Sequence, residues 1–430
     1  ANQSSTACKA QKSRFSAGAS PAKKPWPAHL RRLVAAQLPA MSSMMSGAIR
    51  NSLKHIKPLR TAVRGLKRRI ECHRENAWLI EGKERMSGQL VSIMFVGDLI
   101  SRNYIARTFF DESGIEKERV RVWKSRRLQR ALDANGTHDL AVVQLDSPQS
   151  VADASVDIFQ VPCWVGGEKD LHASSELARR SKHIKSDIRR IRNNRLGYRV
   201  TSEPGEFDRF YHSMYLPHIQ RVFGDKAYLR TYEEIQAAIP NCELFLITQD
   251  GQDIAGGILV YDGSDKVRGW VLGVKDGDDC WVRAGALAAF EHLQTEYLLE
   301  KGFSRLHRGS SRPFLNDGAL CFKKQRGMEI TDHTQQRFII MPLRDRPGVR
   351  ALLQQNPFIY EEEGKLKGAI FVPEETTSED AAGLHRDWYI PGLDGLTLFC
   401  LGEEHGRDLS IRTCGSIDGS GVLNAHYCKG

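Results

Sequence analysis

The first 70 residues contain 15 Lys/Arg and not one Asp or Glu, and this lack of acids accounts for the chain's formal charge of +10. Residues 71–430 carry 47 basic against 52 acidic side chains, a net of −5, so the body gives no general nucleic-acid signal. Also missing is any apolar run of the ~20 residues that a membrane-spanning helix needs. The longest helical pattern, 282–299, is interrupted by Arg283, Glu291, His292 and Glu296, as in a core helix of a soluble fold. No two of the nine cysteines are spaced CxxC, and their number is odd. A disulfide framework is therefore not expected, and reduced, mostly buried thiols in the cytoplasm are. Cys414, His426 and Cys428 come nearest to a metal set, but three loosely spaced residues do not make one, and no metal is expected.

What is present begins with a tail. Residues 1–47, rich in Ser, Ala, Lys and Pro at their start, lack periodicity and are expected to be disordered. A transit peptide, a solvated basic tail and a reading frame that starts at Met41, Met44 or Met45 all fit this composition. Residues 48–70 place Ile49, Leu53, Ile56, Leu59, Val63, Leu66 and Ile70 at rough helical spacing among basic residues. Such a stripe suits an anionic membrane surface or acidic partner, or packing on the domain behind it.

A first globular unit starts near Glu75. Strands are expected at 78–80, 90–96, 138–145 and 157–164, and a helix at 123–132, with 104–110 either helical or extended. Residues 174–199 read as a strongly basic helix with Ile184, Ile188 and Ile191 on one narrow face. Its cations, Arg189 and Arg190 among them, form either a solvated face or a cradle for phosphates. Helices follow at 207–215, stopped by Pro217, and at 232–239, stopped by Pro240. Strands 243–249, 254–261 and 267–274 come next, turned by Asp250-Gly251 and Asp262-Gly263. Helix 282–299, strand 304–309 and strands 329–332 and 337–342 complete the unit, in the order ααβββαβαββ. Beyond Arg344 the pattern thins to a helix at 349–354, a strand at 369–372, a Glu/Thr/Ser-rich linker at 374–383 and a small β-rich appendage.

The densest cluster of polar groups runs from Ser310 through Arg312, Asn316, Asp317 and Lys323 to Gly327. Hydroxyl, amide, carboxylate and cation at the end of a strand read as a site, because buried polar groups need partners or a ligand. Against this stands a plainer possibility, that Asn316-Asp317-Gly318 caps the next helix.

The element order, with Phe210-Tyr211, Tyr215 and Pro217, Ile254-Ala255-Gly256-Gly257, Lys301-Gly302-Phe303 and Gly309 through Lys323 to Gly327, resembles the GNAT acyltransferases. Within them the details are similar to the branch of FemAB-type aminoacyl transferases and CelD-like proteins. The resemblance covers 174–343, and 75–170 as a degenerate first copy. It implies an α/β (α+β) fold: a GNAT-like mixed sheet flanked by helices, in two tandem domains with the β-rich C-terminal appendage. The implied division is 1–47 tail, 48–173 degenerate N-terminal GNAT-like domain, 174–343 acyltransferase domain and 344–430 extension. It further implies that strands 267–274 and 304–309 splay, so that the donor's arm bonds the main chain at Leu272, Gly273 and Val274. The family's diphosphate-binding turn corresponds to Arg283-Ala284-Gly285-Ala286-Leu287-Ala288, with alanine for the first glycine, giving Arg283, Ala284, Gly285, Ala286 and Ala288 as cofactor contacts.

The reaction implied is acyl transfer from acetyl-CoA or another acyl-CoA to an amine of a small polar or envelope-precursor acceptor. Asp317 is the candidate base, Tyr211 or Tyr215 the candidate acid, and Ser310, Arg312, Asn316, Lys323, Arg189 and Arg190 the candidate substrate contacts. The alternatives are an aminoacyl-tRNA-dependent transferase and a GNAT-like binding module without catalysis.

Overall fold

The computed structural model describes residues 74–111, 114–126, 128–129, 131, 138–147, 157–173, 181–224, 229–263, 266–373, 378–402 and 409–425. The tail, the 48–70 stripe, Arg179, Arg180, His426 and Cys428 lie outside them. None of the helices among the described residues is long and apolar enough to cross a membrane. Cys163, Cys242 and Cys400 are buried thiols.

Alternating apolar residues make a hairpin of β1 (Arg74–Lys83) and β2 (Leu90–Gly97), paired antiparallel along their length. Helix α1 (Leu99–Phe109) resolves the ambiguous 104–110 segment: Asp98 caps it by accepting from Ser101 N at 2.8 Å. The helix expected at 123–132 starts later than expected: Lys124–Arg126 form a 3-10 turn, and Leu128, Gln129 and Ala131 are helical among the described residues. Trp123 instead closes β3 (Ile115–Trp123), whose charged residues suit the exposed outer edge it forms beside β1. Strand β4 (Leu140–Leu145), buried throughout, lies parallel to β2, and β5 (Phe159–Pro162) follows.

Only Cys163 and Trp164 separate β5 from β6 (Val165–Asp170), yet the two strands belong to different sheets. The basic segment is shorter than expected: helix α2 (Lys182–Asn193) ends where β7 (Leu196–Thr201) begins. Pro217 does not stop the next helix. Helix α3 (Pro204–Phe210) runs through a π-helical turn (Tyr211–Tyr215) into α4 (Leu216–Phe223), with Leu216 N bonded to Tyr211 O. Widening the turn sets proline at the start of a new helix, where its missing N–H is tolerated. Helix α5 (Tyr232–Ala238) and the antiparallel β8 (Cys242–Gln249), β9 (Gln252–Tyr261) and β10 (Val267–Val274) follow. The long amphipathic helix is broken in two, α6 (Asp279–Ala284) and α7 (Ala286–Glu300), at Gly285 with φ 97°. Then come β11 (Arg305–Ser311), α8 (Gly318–Lys324), β12 (Met328–His333) and β13 (Arg337–Pro342).

The first sheet runs β3-β1-β2-β4-β13-β5 and the second β12-β6-β11-β10-β9-β8-β7. The two copies therefore exchange strands. β6, at the end of the first copy, inserts between β11 and β12, while β13, at the end of the second, inserts between β4 and β5.

A third sheet, β14 (Phe358–Glu362), β15 (Lys365–Val372), β16 (Gly395–Gly402), β17 (Ser410–Asp418) and β18 (Leu423–Ala425), follows helix α9 (Pro347–Gln355). The expected linker is largely helix α10 (Ser378–Trp388), the crossover between parallel β15 and β16. Phe159 of the first sheet meets Phe358, Tyr360, Phe371 and Phe399 edge-on at 5.2–5.9 Å, joining the two sheets in one core. Pairs of this kind contribute about 0.5–1.5 kcal/mol each beyond area burial. The fold is an α/β one of three mixed sheets flanked by helices.

Candidate functional site: a wedge between two strands

Strands β10 and β11 run parallel but pair only at Val267↔Leu306 and Arg268↔His307. Immediately beyond, each strand carries a register shift against its other neighbour. In β10 it lies between Gly269 and Leu272, and in β11 between His307 and Ser310. A bulge bends the strand that bears it, and two bulges at one level turn the pair apart. Gly309 sits at φ 64°, a conformation that glycine adopts without the Cβ penalty. Lys323 of α8 holds this bulge, donating to Gly309 O at 3.3 Å and Ser310 O at 3.0 Å. The π-helical turn packs against the far end of β10: a Cβ at Gly273 would lie 2.6 Å from the main chain of Met214 and Tyr215.

The corresponding place in the first copy is closed. β2 and β4 stay paired from Ile93↔Leu140 to Val96↔Val143 without a bulge. Above them the start of α1 is filled by the Asp98 carboxylate, whose own N–H donates to Gln144 Oε1 at 3.1 Å. An acid stands where an anion would bind, so only the second copy keeps an opening.

Beside the wedge lies a buried charge cluster. Arg308, the β11 bulge residue, makes two bonds to Glu291 of α7, at 2.5 and 2.6 Å. Both side chains are less than a tenth exposed. Arg326 stacks on Phe322 at 3.7 Å and donates to Asp187 of α2 at 2.8 Å. Burial pushes Lys323 down to about 8, with Arg308 adding to the effect. Lys169, on the exchanged strand β6, is pushed down to about 8 by burial, partly offset by Glu291.

The residues singled out from the sequence are distributed as follows. Asp317 is the N-cap of α8: Oδ1 accepts from Ala319 N at 3.0 Å and Leu320 N at 3.1 Å, and Oδ2 from Tyr104 Oη at 3.4 Å. The capping explanation therefore accounts for its position. Tyr211 Oη donates to Arg230 O at 3.1 Å, and Tyr215 Oη accepts from Arg230 N at 2.9 Å. Both rings lie in the core between the π-turn and the sheet, and burial raises both hydroxyls above their usual range. Both hydroxyls thus fasten the Arg230 backbone.

Arg312 is 6% exposed, packed over Trp164 at 3.8 Å and Tyr104 at 4.6 Å, with one bond to Cys163 O. Asn316 Nδ2 donates to Gln355 O and Asn356 Oδ1, so both residues tie the second copy to its neighbours. Ser310 is exposed and meets Lys323 through its carbonyl. Leu272 and Val274 pack toward α7, Val274 fully buried, with Gly273 turned toward the π-turn.

The expected diphosphate turn is covered. Gly285 and Ala286 are buried, a Cβ at Gly285 would lie 2.8 Å from the Arg190 side chain, and Asn194 donates to Ala284 O at 2.7 Å. Ala288 is buried as well, Arg283 is exposed, and Arg189 and Arg190 are exposed on α2. The residues present fit a donor arm in the wedge; they do not fit a diphosphate at the start of α7 while α2 lies across it.

Sequence reasoning missed Glu291, Arg308, Arg326 and Lys169. The available signal was Glu291, a carboxylate among Ala288, Ala289 and Phe290 on the buried face of a helix, which demands a buried cation.

No protein-family model matches the chain, and no curated protein matches its sequence. Among solved structures it is similar to L-PGS from Bacillus licheniformis, at 9% identity and TM-score 0.31 over 63% of this chain and 86% of that one. It is also similar to a GCN5-related N-acetyltransferase-like protein from Streptococcus suis, at 9% identity and TM-score 0.23 over 62% and 83%. A tandem GNAT protein from the clavulanic acid biosynthesis pathway matches at 11% identity and TM-score 0.24 over 60% and 80%.

Proposed function

We propose that the chain is a GNAT-type transferase that moves an acyl group from an activated donor to the amine of a small polar or envelope-precursor acceptor. The opening of β10 from β11 directly after Arg268 and His307 carries this reading. Main-chain groups facing a gap inside a sheet are ready-made partners for an extended donor arm. Main-chain N–H groups of β10 beyond Gly269 would donate to the developing oxyanion, and Lys323 keeps the gap open by holding the β11 carbonyls. With Asp317 capping α8, the acceptor amine is activated chiefly by position and by loss of water.

Two donor classes compete. The GNAT resemblance makes an acyl-CoA the first candidate. The cover of α2 over Gly285 and Ala286 favours the other, an aminoacyl ester on a tRNA 3′ end, which needs no diphosphate cradle. Exposed Lys182, Lys185, Arg189 and Arg192 on the same helix suit its phosphates.

The deciding experiment is thermal unfolding and filter binding with acetyl-CoA and with aminoacyl-tRNA. A rise in Tm that grows with acetyl-CoA concentration selects the thioester donor. Absence of that rise, together with tRNA binding that weakens steeply with salt, selects the aminoacyl route. Failure of both removes the transferase reading and leaves a binding module.

A further inference from the structure

A second place in the molecule is built for a ligand, independently of the transfer reaction. Between α2 and α7 lies a cavity of about 60 Å³, lined by Lys169, Ile188, Ala288, Glu291, Thr295 and Arg326 among others. Lys169 is 4% exposed, and its ammonium makes one bond, to Thr295 Oγ1 at 2.8 Å. That hydroxyl is itself spent on Glu291 O at 2.7 Å.

The carboxylates around the cavity are already taken. Glu291 is held by Arg308 through both oxygens, Asp187 by Arg326 and Arg190, and Glu296 faces His292 at 3.4 Å. Among the described residues no carboxylate lies within ion-pair range of Lys169. The cations Lys169, Arg308, Lys323 and Arg326 thus stand against Glu291, Asp187 and Glu296, and among the described residues Lys169 and Lys323 are the two of them without an ion pair. An ammonium buried without a counter-charge is unfavourable, and a cavity at its tip with unused N–H donors is what an anion would fill.

We infer that this cavity is a binding site for a compact oxyanion, the carboxylate or phosphate group of a small ligand, with Lys169 as its main contact and Arg326 as a second. Its size admits a group such as phosphate or a short carboxylate and excludes a nucleotide. Its apolar walls suit a short aliphatic neighbour to the anionic group. Glu291 lines the cavity and Arg308 lies at the bulge of the wedge, so an anion here would bear on the pair beside the transfer site.

The test is thermal unfolding of the full chain with inorganic phosphate, with butyrate, and with chloride at matched ionic strength. Phosphate or butyrate should raise Tm by several degrees at roughly a hundredfold excess over Kd, with chloride inert. Whichever of the two acts identifies the ligand's head group. Lys169→Met should abolish the response, and Arg326→Gln should weaken it about tenfold, a loss typical of one charge-assisted contact. If Lys169→Met does not fold, Arg326→Gln alone decides. Equal response to all three anions, or an unchanged affinity in either variant, overturns the assignment.

Discussion

Removing the Glu291 carboxylate should be among the most damaging single changes in the second copy. Glu291 and Arg308 are both less than a tenth exposed and meet through two bonds. Lys169, Lys323 and Arg326 all lie close enough for Glu291 to support their charged forms. Glu291→Gln therefore strands Arg308 and leaves three further cations without their shared anion. Breaking a buried pair by removing one partner costs about 3–5 kcal/mol. At about 2 °C per kcal/mol for a large domain, Tm should fall by roughly 6–10 °C. Replacing both partners, as Glu291→Leu with Arg308→Met, should recover most of that loss, because the desolvated charge goes with its partner. Urea unfolding of the wild type, the single variant and the double variant measures all three quantities. A single variant within about 1 kcal/mol of wild type, or a double variant no better than the single, would refute the reasoning.

Other expectations follow from the same structure. Lys169 titrates near 8 when folded and near 10.5 when unfolded, so between these values the unfolded chain binds more protons. Lys323 behaves alike, so stability should rise from pH 8 to 10.5 by on the order of 3 kcal/mol for each lysine, and Lys169→Met should remove its share of that rise in urea titrations. Tyr211→Phe and Tyr215→Phe should each lose about 1 kcal/mol in denaturant unfolding and leave turnover unchanged once the acceptor is known. A large fall in kcat with intact stability would restore a catalytic tyrosine. Gly273→Val should push the π-helical turn off β10 and destabilise by about 1–3 kcal/mol or more, with a wild-type melting curve counting against that contact. Residues 174–343 expressed alone lack β6, so circular dichroism should show no cooperative transition, whereas 74–430 should melt as a unit.

The sequence by itself determined the local elements whose period and punctuation agree. Strands 242–261 with their turn residues, the buried runs at 90–97 and 140–145, and the order of helices and strands around 204–342 were legible because side-chain alternation and turn chemistry are local. It also contained the caps, since Asp317 before Gly318-Ala319-Leu320 is a capping pattern as much as a catalytic one. Tertiary structure decided the rest. Nothing in residues 157–170 tells which of two neighbouring strands joins which sheet, because both are short and their pairing partners lie far along the chain: β6 fills the gap between β11 and β12, and β5 adds to β13 at a sheet edge. The pairing of Glu291 with Arg308, the cover of α2 over Gly285 and the burial of Lys169 bring together residues remote in sequence. A buried charge finds its partner, or lacks one, only once the chain has closed around it.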